Sequence, residues 1–182
     1  MYINSFVNIT SKAWALPILA SLHVGVAGRQ ATLLAATGAS RTAFMQSLEH
    51  LIKNGLLERN PGYGHPLRPE VRLTQLGKEA AALADKVQRA SSEDDQSLLR
   101  KSWTLPVLTS LQKPSHFNDI KRSLQSITDR ALSQSLKSME GRDWVQRSVD
   151  ETARPPRSIY SAVNTGGTIS KITGSEISFI KQ

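Results

Sequence analysis

The sequence predicts a mainly α fold with small β-hairpins (α+β), laid out twice along the chain. Three observations predict it. The first is self-similarity. KAWALPILASL at residues 12–22 returns as KSWTLPVLTSL at 101–111, with Trp14 and Trp103, Pro17 and Pro106, and Leu22 and Leu111 each 89 residues apart. SRTAFMQSLEHLIKNGLLER (40–59) then lies against TDRALSQSLKSMEGRDWVQR (128–147), setting Ser47 on Ser135, Leu48 on Leu136 and Leu51 on Met139. PLRPEVRLTQLG (66–77) lies more loosely against PPRSIYSAVNTG (155–166). Three blocks in one order point to a duplicated unit of about 90 residues, near the small end of domain sizes. The second observation is that both halves carry the same order of helix and strand signals. The third is composition: 39% apolar and 21% charged residues describe a chain that can bury a core.

In the first half, Ser11 is placed to cap a helix carrying Trp14, Leu16, Ile18, Leu19 and Leu22 at three- and four-residue spacing, ended by Gly25 and Gly28. RQATLLAAT (29–37) reads as a short helix closed by Gly38. Ser40 caps a longer helix with Phe44, Leu48, Leu51 and Ile52 on one face, stopped at Asn54-Gly55. LLER (56–59) and EVRL (70–73) read as strands around the Pro/Gly loop PGYGHPLRP, and a connector helix follows from about Thr74 to Ala90. The second half repeats the scheme. Its first helix opens at Ser92, with Glu93, Asp94 and Asp95 suited to the helix dipole. Ser115 caps HFNDIKRSL, Thr128 caps the third helix, and strands fall near 144–148 and 158–162. Trp14, Trp103 and Trp144 read as core. For the tail after Gly166-Gly167 the sequence allows a partial helix, an added strand or a loose end.

Three short helices followed by a two-stranded wing describe a winged helix-turn-helix, so the expectation is mainly α with small β-wings (α+β), two tandem winged helix-turn-helix domains. The boundaries are 1–91, including the connector helix, and 92–182. The second half resembles the HxlR group of bacterial winged-helix regulators, relatives of the MarR type. The residues that carry the resemblance are Lys101, Trp103, Thr104, Leu105 and Leu108, then His116-Phe117-Asn118-Asp119-Ile120. Ile127-Thr128, Leu132-Ser133, Leu136, Met139-Glu140, Pro155-Pro156-Arg157, Tyr160-Ser161 and Gly166 follow, over about 65 residues in all. The first half fits more loosely, through residues 54–59, 71–74 and Gly77. Two departures matter. The cysteine to which the group's redox sensing is attached is missing, and the glycine before the first wing strand is Asp143, a residue that tolerates left-handed backbone better than most. The group also ends in a long helix that builds a homodimer, where this chain has TISKITGSEISFIKQ.

Charge narrows the partner. Lys+Arg outnumber Asp+Glu by 23 to 15, a net charge of +8, which favours a polyanion such as nucleic acid. Both halves share the excess: ten basic against five acidic residues over 1–90, and thirteen against ten over 91–182. Zero cysteines exclude disulfides, thiolate metal sites and cysteine nucleophiles. The four histidines show no metal-ligand spacing, and no P-loop or G-x-S-x-G occurs, so neither catalysis nor a cofactor is expected. No apolar run approaches the roughly 18 residues of a membrane helix, and MYINSFVNIT does not read as a signal peptide.

A winged helix sets the start of its third helix in the major groove, where base edges differ in donors and acceptors. The candidates are the residues off the apolar face: Ser40, Arg41, Thr42, Met45 and Gln46 in the first half, and Thr128, Asp129, Arg130, Ser133, Gln134 and Lys137 in the second. Arg68, beside Tyr63 and His65, and Arg154 and Arg157 lie on stiff Pro/Gly wings suited to a narrow minor groove. The reading is a cytoplasmic, nucleoid-associated bacterial or phage-borne regulator of transcription. It binds double-stranded DNA sequence-specifically through two winged-helix units of one chain. Self-association as a homodimer stays open, and no membrane partner is expected. The alternatives are a plasmid-type replication initiator with tandem winged helices and a winged-helix protein-interaction adaptor. Adaptors of that kind tend to be acidic, against the charge found here.

Overall fold

The computed structural model of the 182-residue chain describes residues 1–60, 70–152 and 154–179. An opening helix, α1 (Ile3–Thr10), is followed by α2 (Ala15–His23), α3 (Gln30–Thr37), α4 (Arg41–Lys53), β1 (Leu57–Asn60), β2 (Glu70–Leu73) and α5 (Gln75–Arg89). After a 3-10 turn at Glu93–Asp95 come α6 (Gln96–Leu99), α7 (Thr104–Ser110), β3 (Ser115–His116) and α8 (Phe117–Leu124). The chain continues through α9 (Asp129–Glu140), β4 (Val145–Asp150), β5 (Arg157–Ala162) and α10 (Asn164–Glu176). These elements divide into two units. One is Lys12–Arg89; the other joins Met1–Ser11 to Ala90–Gln182.

In the first unit, α2 lies along α5 and against α3 and α4. Leu16, Ile18 and Leu19 of α2, Leu33 of α3, and Phe44, Leu48 and Leu51 of α4 are buried with Ala80, Ala81 and Ala84 of α5, whose small side chains let the two helices run close together. α4 starts and stops where its sequence says: the Ser40 hydroxyl accepts from the Ala43 N–H at 3.4 Å, and Gly55 beyond the end takes φ +69°. β1 and β2 pair antiparallel, Leu57 opposite Leu73 and Asn60 opposite Glu70, with a further bridge from Arg29 to Glu70.

In the second unit, α7 is buried along nearly its whole length, covered by α1, α8, α9 and α10. Its sheet has the order β3-β5-β4, all antiparallel, with Val145 opposite Ala162 and Asp150 opposite Arg157. Asp143, ahead of β4, has φ +57°, a left-handed conformation that Asp tolerates better than most residues. The Asn164 amide donates to its carbonyl at 2.9 Å. α10 closes on this corner: a Cβ at Gly166 would lie 2.2 Å from the Trp144 carbonyl oxygen, so only glycine lets the helix approach.

Several expectations are corrected. Ser11 ends a helix instead of starting one. Ile3, Phe6 and Ile9, all buried, give residues 3–10 an apolar face, and the Ser11 hydroxyl donates back to the Asn8 carbonyl at 2.6 Å. α2 starts after Trp14, which supplies no side-chain cap. The first helix of the second half is broken in two. Ser92 and Asp95 form a capping box at the 3-10 turn, and α7 begins only at Thr104, whose hydroxyl donates to the Leu98 carbonyl at 2.8 Å. Ser115 caps nothing: it pairs with Tyr160 in β3, because the segment before α8 serves as a third strand against β5. Trp14 and Trp103 are only half-buried, while Trp144 and the neighbours Leu16 and Leu105 are core. Residues 1–11, read with the first half, pack in the second unit, where Tyr2 bridges Ser178 in parallel and Ile3 N–H donates to the Ser178 carbonyl at 3.0 Å. The tail is a helix through Gly174, where the Gln112 side chain fills the space a Cβ would take.

Candidate nucleic-acid interface

Helix α9 is held on its inner side by Leu132, Leu136 and Met139, all buried. At its start the Thr128 hydroxyl accepts from the Ala131 N–H at 3.2 Å. That register turns every candidate of this helix outward: Thr128, Asp129, Arg130, Ser133, Gln134 and Lys137 are all exposed. Asp129 is ion-paired with Lys121 of α8 at 2.6 Å, so its negative charge is offset where the two helices meet. Arg130 and Lys137 have no ion-pair partner among the described residues, and their charge is available to an outside anion.

The other end of α9 is anchored. Asp95 accepts from the Ser92 N–H at 2.9 Å and from its hydroxyl at 2.7 Å, and Arg142 Nε donates to it at 2.8 Å. Burial pushes the Asp95 carboxyl up, but these hydrogen bonds and the Arg142 guanidinium outweigh it and hold the group below the ordinary carboxylate value. The clamp ties the turn at Glu93–Asp95 to the chain just beyond α9.

In the first unit, Ser40, Arg41, Thr42 and Gln46 of α4 are exposed, while Met45 is half-buried and shares in packing. Other cations of this unit are spent on carboxylates: Arg59 with Glu49 at 2.5 Å, Arg72 with Glu58 at 2.5 Å and Arg29 with Glu70 at 2.7 Å. Arg41 is the cation at the start of α4 with no such partner among the described residues. Arg68, with the rest of the loop 61–69, lies outside the described residues.

On the second unit's wing, Arg154 and Arg157 are both exposed. Arg157 borders a concavity of about 350 Å³ with Arg122 and His116. His116 joins the wing to α8: Nδ1 lies 3.1 Å from the Ser158 carbonyl, which makes it the donor there, and Nε2 lies 3.4 Å from Asp150. Arg147 Nε donates to Ser158 Oγ at 2.9 Å, so a wing arginine is held against the neighbouring strand. Near the candidate residues the structure also places side chains that the sequence reading does not name as site residues: Lys101 and Trp103 beside α9, Lys121 paired with Asp129, Arg122 paired with Asp119, and Arg147 on β4. Lys101 and Trp103 carry a signal in the sequence, since Lys12 and Trp14 repeat them, but an aromatic residue at helical spacing reads as core.

Among the described residues no helix is long and apolar enough to cross a membrane, and no group of three or more His, Asp or Glu side chains could hold a metal. Residues 98–181 match the family model of the HxlR-like helix-turn-helix, which spans the second unit from α6 through α10. No curated protein and no solved structure matches the chain.

Proposed function

We propose that the protein is a sequence-specific regulator of transcription that binds double-stranded DNA through two winged-helix units of one chain. The observation that carries the reading is α9. It is a capped helix with its apolar face buried and Arg130, Ser133, Gln134 and Lys137 exposed, inside the segment that matches an HxlR-like helix-turn-helix. Arginine suits guanine, glutamine suits adenine, and serine suits either base edges or phosphate. Arg154 and Arg157 on the wing supply the second contact, to the backbone or a narrow minor groove.

The first unit is assigned the same role. Its order of three helices, two antiparallel strands and a closing helix parallels the second unit's. Trp14 and Trp103 hold the same place ahead of α2 and α7, with φ of −104° and −100°. Arg29 bridges β2 just before α3 as Ser115–His116 pairs with β5 just before α8. In this reading Ser40, Arg41, Thr42 and Gln46 read a second stretch of the duplex, with Met45 at the margin, and Arg68 works as a wing contact. Because Arg41 is matched by Asp129 and Met45 by Ser133, the two half-sites need not be related by symmetry.

The test is selection of bound sequences from random duplexes, by the wild type and by Arg41→Ala, Gln46→Ala, Arg130→Ala and Gln134→Ala. Each variant should lose about 1–3 kcal/mol on the selected site and relax selectivity at one base pair, with non-specific binding little changed. If all four select the wild-type sequence at wild-type affinity, these helices do not read the bases.

A further inference from the structure

The outward face of α9 does not end at the helix. Beside it lies an open depression of about 540 Å³, walled on one side by Ala131, Gln134, Lys137 and Ser138 and on the other by Lys101 and Trp103, just ahead of α7. Three features set it apart from an ordinary surface dip. Its lining holds two lysines and no carboxylate, although acidic side chains neutralise many cations elsewhere in the described structure. One wall is a half-buried tryptophan, a large residue left partly in solvent although α7 behind it is buried almost throughout. Lys101 is exposed yet fixed, its Nζ donating to Ser138 Oγ at 3.0 Å, which brings its charge against the α9 face.

We infer that this depression seats the sugar–phosphate backbone of the duplex whose bases α9 reads, with Lys101 and Lys137 each on a phosphate and the Trp103 ring against the deoxyribose. The inference rests on the reading of α9 as the base-contacting helix and extends it to residues outside that helix. The size argument is simple. A helix with its side chains is about 10–12 Å across and the major groove about 12 Å wide, so a helix in the groove has a phosphate strand along each flank. The depression is such a flank, running along α9 from Ala131 to Ser138 on the side of Lys101 and Trp103. Lys101 Nζ keeps donor capacity beyond its bond to Ser138, since an ammonium has three hydrogens.

The experiment measures binding to random duplex over a range of salt for wild type, Lys101→Gln, Lys101→Arg, Ser138→Ala and Trp103→Phe, with sequence selection run on the same proteins. One phosphate contact contributes about 0.9 to the slope of log affinity against log salt. Lys101→Gln should lower the slope by about that amount, weaken all sequences alike and leave the selected sequence unchanged. Lys101→Arg should keep the slope. Ser138→Ala removes the hydrogen bond but no charge and should also keep it. Duplex, but not inorganic phosphate at equal ionic strength, should change the part of the emission that Trp103→Phe removes. An unchanged slope in Lys101→Gln overturns the seat, as does an equal slope loss in Ser138→Ala, which would make Lys101 only a brace for α9. If inorganic phosphate alone gives the emission change, the site belongs to a free anion and the seat is likewise overturned. These results leave the base-reading assignment standing if Arg130→Ala still relaxes selectivity. Absence of duplex binding by the wild type overturns both.

Discussion

Thr128 shows how much one hydroxyl does here. It fixes where α9 starts, and the start fixes which residues face outward. Its bond to the Ala131 N–H satisfies a donor that nothing else in the helix can take. Thr128→Ala should cost about 1 kcal/mol of stability, measured by denaturant unfolding, and Ser40→Ala less, because its bond to Ala43 is longer at 3.4 Å. Asp95 gives a pH dependence. Its carboxyl sits below the ordinary value when folded, so its contribution is complete above the unfolded value of about 3.9 and is lost as pH falls through the folded one. The stability difference between wild type and Asp95→Asn should thus be constant near neutrality and shrink in acid below about pH 4. Titrating urea midpoints of both proteins checks it; a gap that widens in acid would contradict the sign. Residue identity was legible in the sequence at these points because Ser, Thr and Asp signal helix starts chemically. The same chemistry misled at Ser11 and Ser115. A hydroxyl before an apolar run looks like a cap, and only tertiary pairing decides whether the run behind it belongs to α1 or the segment ahead of α8 goes to a strand.

At the scale of elements, the sequence showed most of what locally periodic patterns can show. α3, α4, α5 and α9 and both hairpins lie where apolar spacing and Gly, Asn and Pro signals put them. α1 was missed. Its apolar face of Ile3, Phe6 and Ile9 is short and interrupted by Asn4, Ser5 and Asn8, and its value comes from what it covers on α7. The sequence does not decide α10, because Gly166, Gly167 and Gly174 lower helix propensity. Their reasons, the Trp144 carbonyl and the Gln112 side chain, are long-range. Phe6 is 1% exposed, so Phe6→Ala should destabilise the second unit by about 3–5 kcal/mol. Hydrogen exchange resolves where: protection should fall in α7 and α10 and persist in α2 and α5. Equal loss in both units would contradict the grouping of α1 with the second.

At the scale of the molecule, the charge excess is the property the sequence stated most directly, and the distribution is what it hid. The counts per half are similar, and both units divide their cations: ion pairs occupy Arg29, Arg59, Arg72 and Arg89 of the first and Lys121, Arg122 and Arg142 of the second, while Arg41 of the first and Lys101, Arg130 and Lys137 of the second stand outside any ion pair among the described residues. In the two-unit reading, a protein covering about 6–10 phosphates loses roughly 10³–10⁵ in affinity between 50 and 200 mM salt. Removing Arg130 and Lys137 together should flatten that dependence more than removing Arg41 and Arg68. Fluorescence anisotropy on random duplex measures both, and equal flattening would mean the units share the backbone evenly.

The strand bridge between Tyr2 and Ser178 has a consequence in time. The first unit, Lys12–Arg89, is one continuous stretch of 78 residues and can close as soon as that stretch leaves the ribosome. The second unit cannot. Its opening helix is synthesised early, with Phe6 and Ile9 uncovered, and its partners α7 and α10 and the strand residue Ser178 come after the whole intervening unit has been made. Contacts so distant along the chain are slow to form, and uncovered apolar surface invites association with other chains while it waits. Translation order therefore sets a vulnerable interval for this protein, from the emergence of Phe6 to the arrival of Ser178, and the soluble yield should depend on elongation speed between those two residues more than on the final stability of either unit.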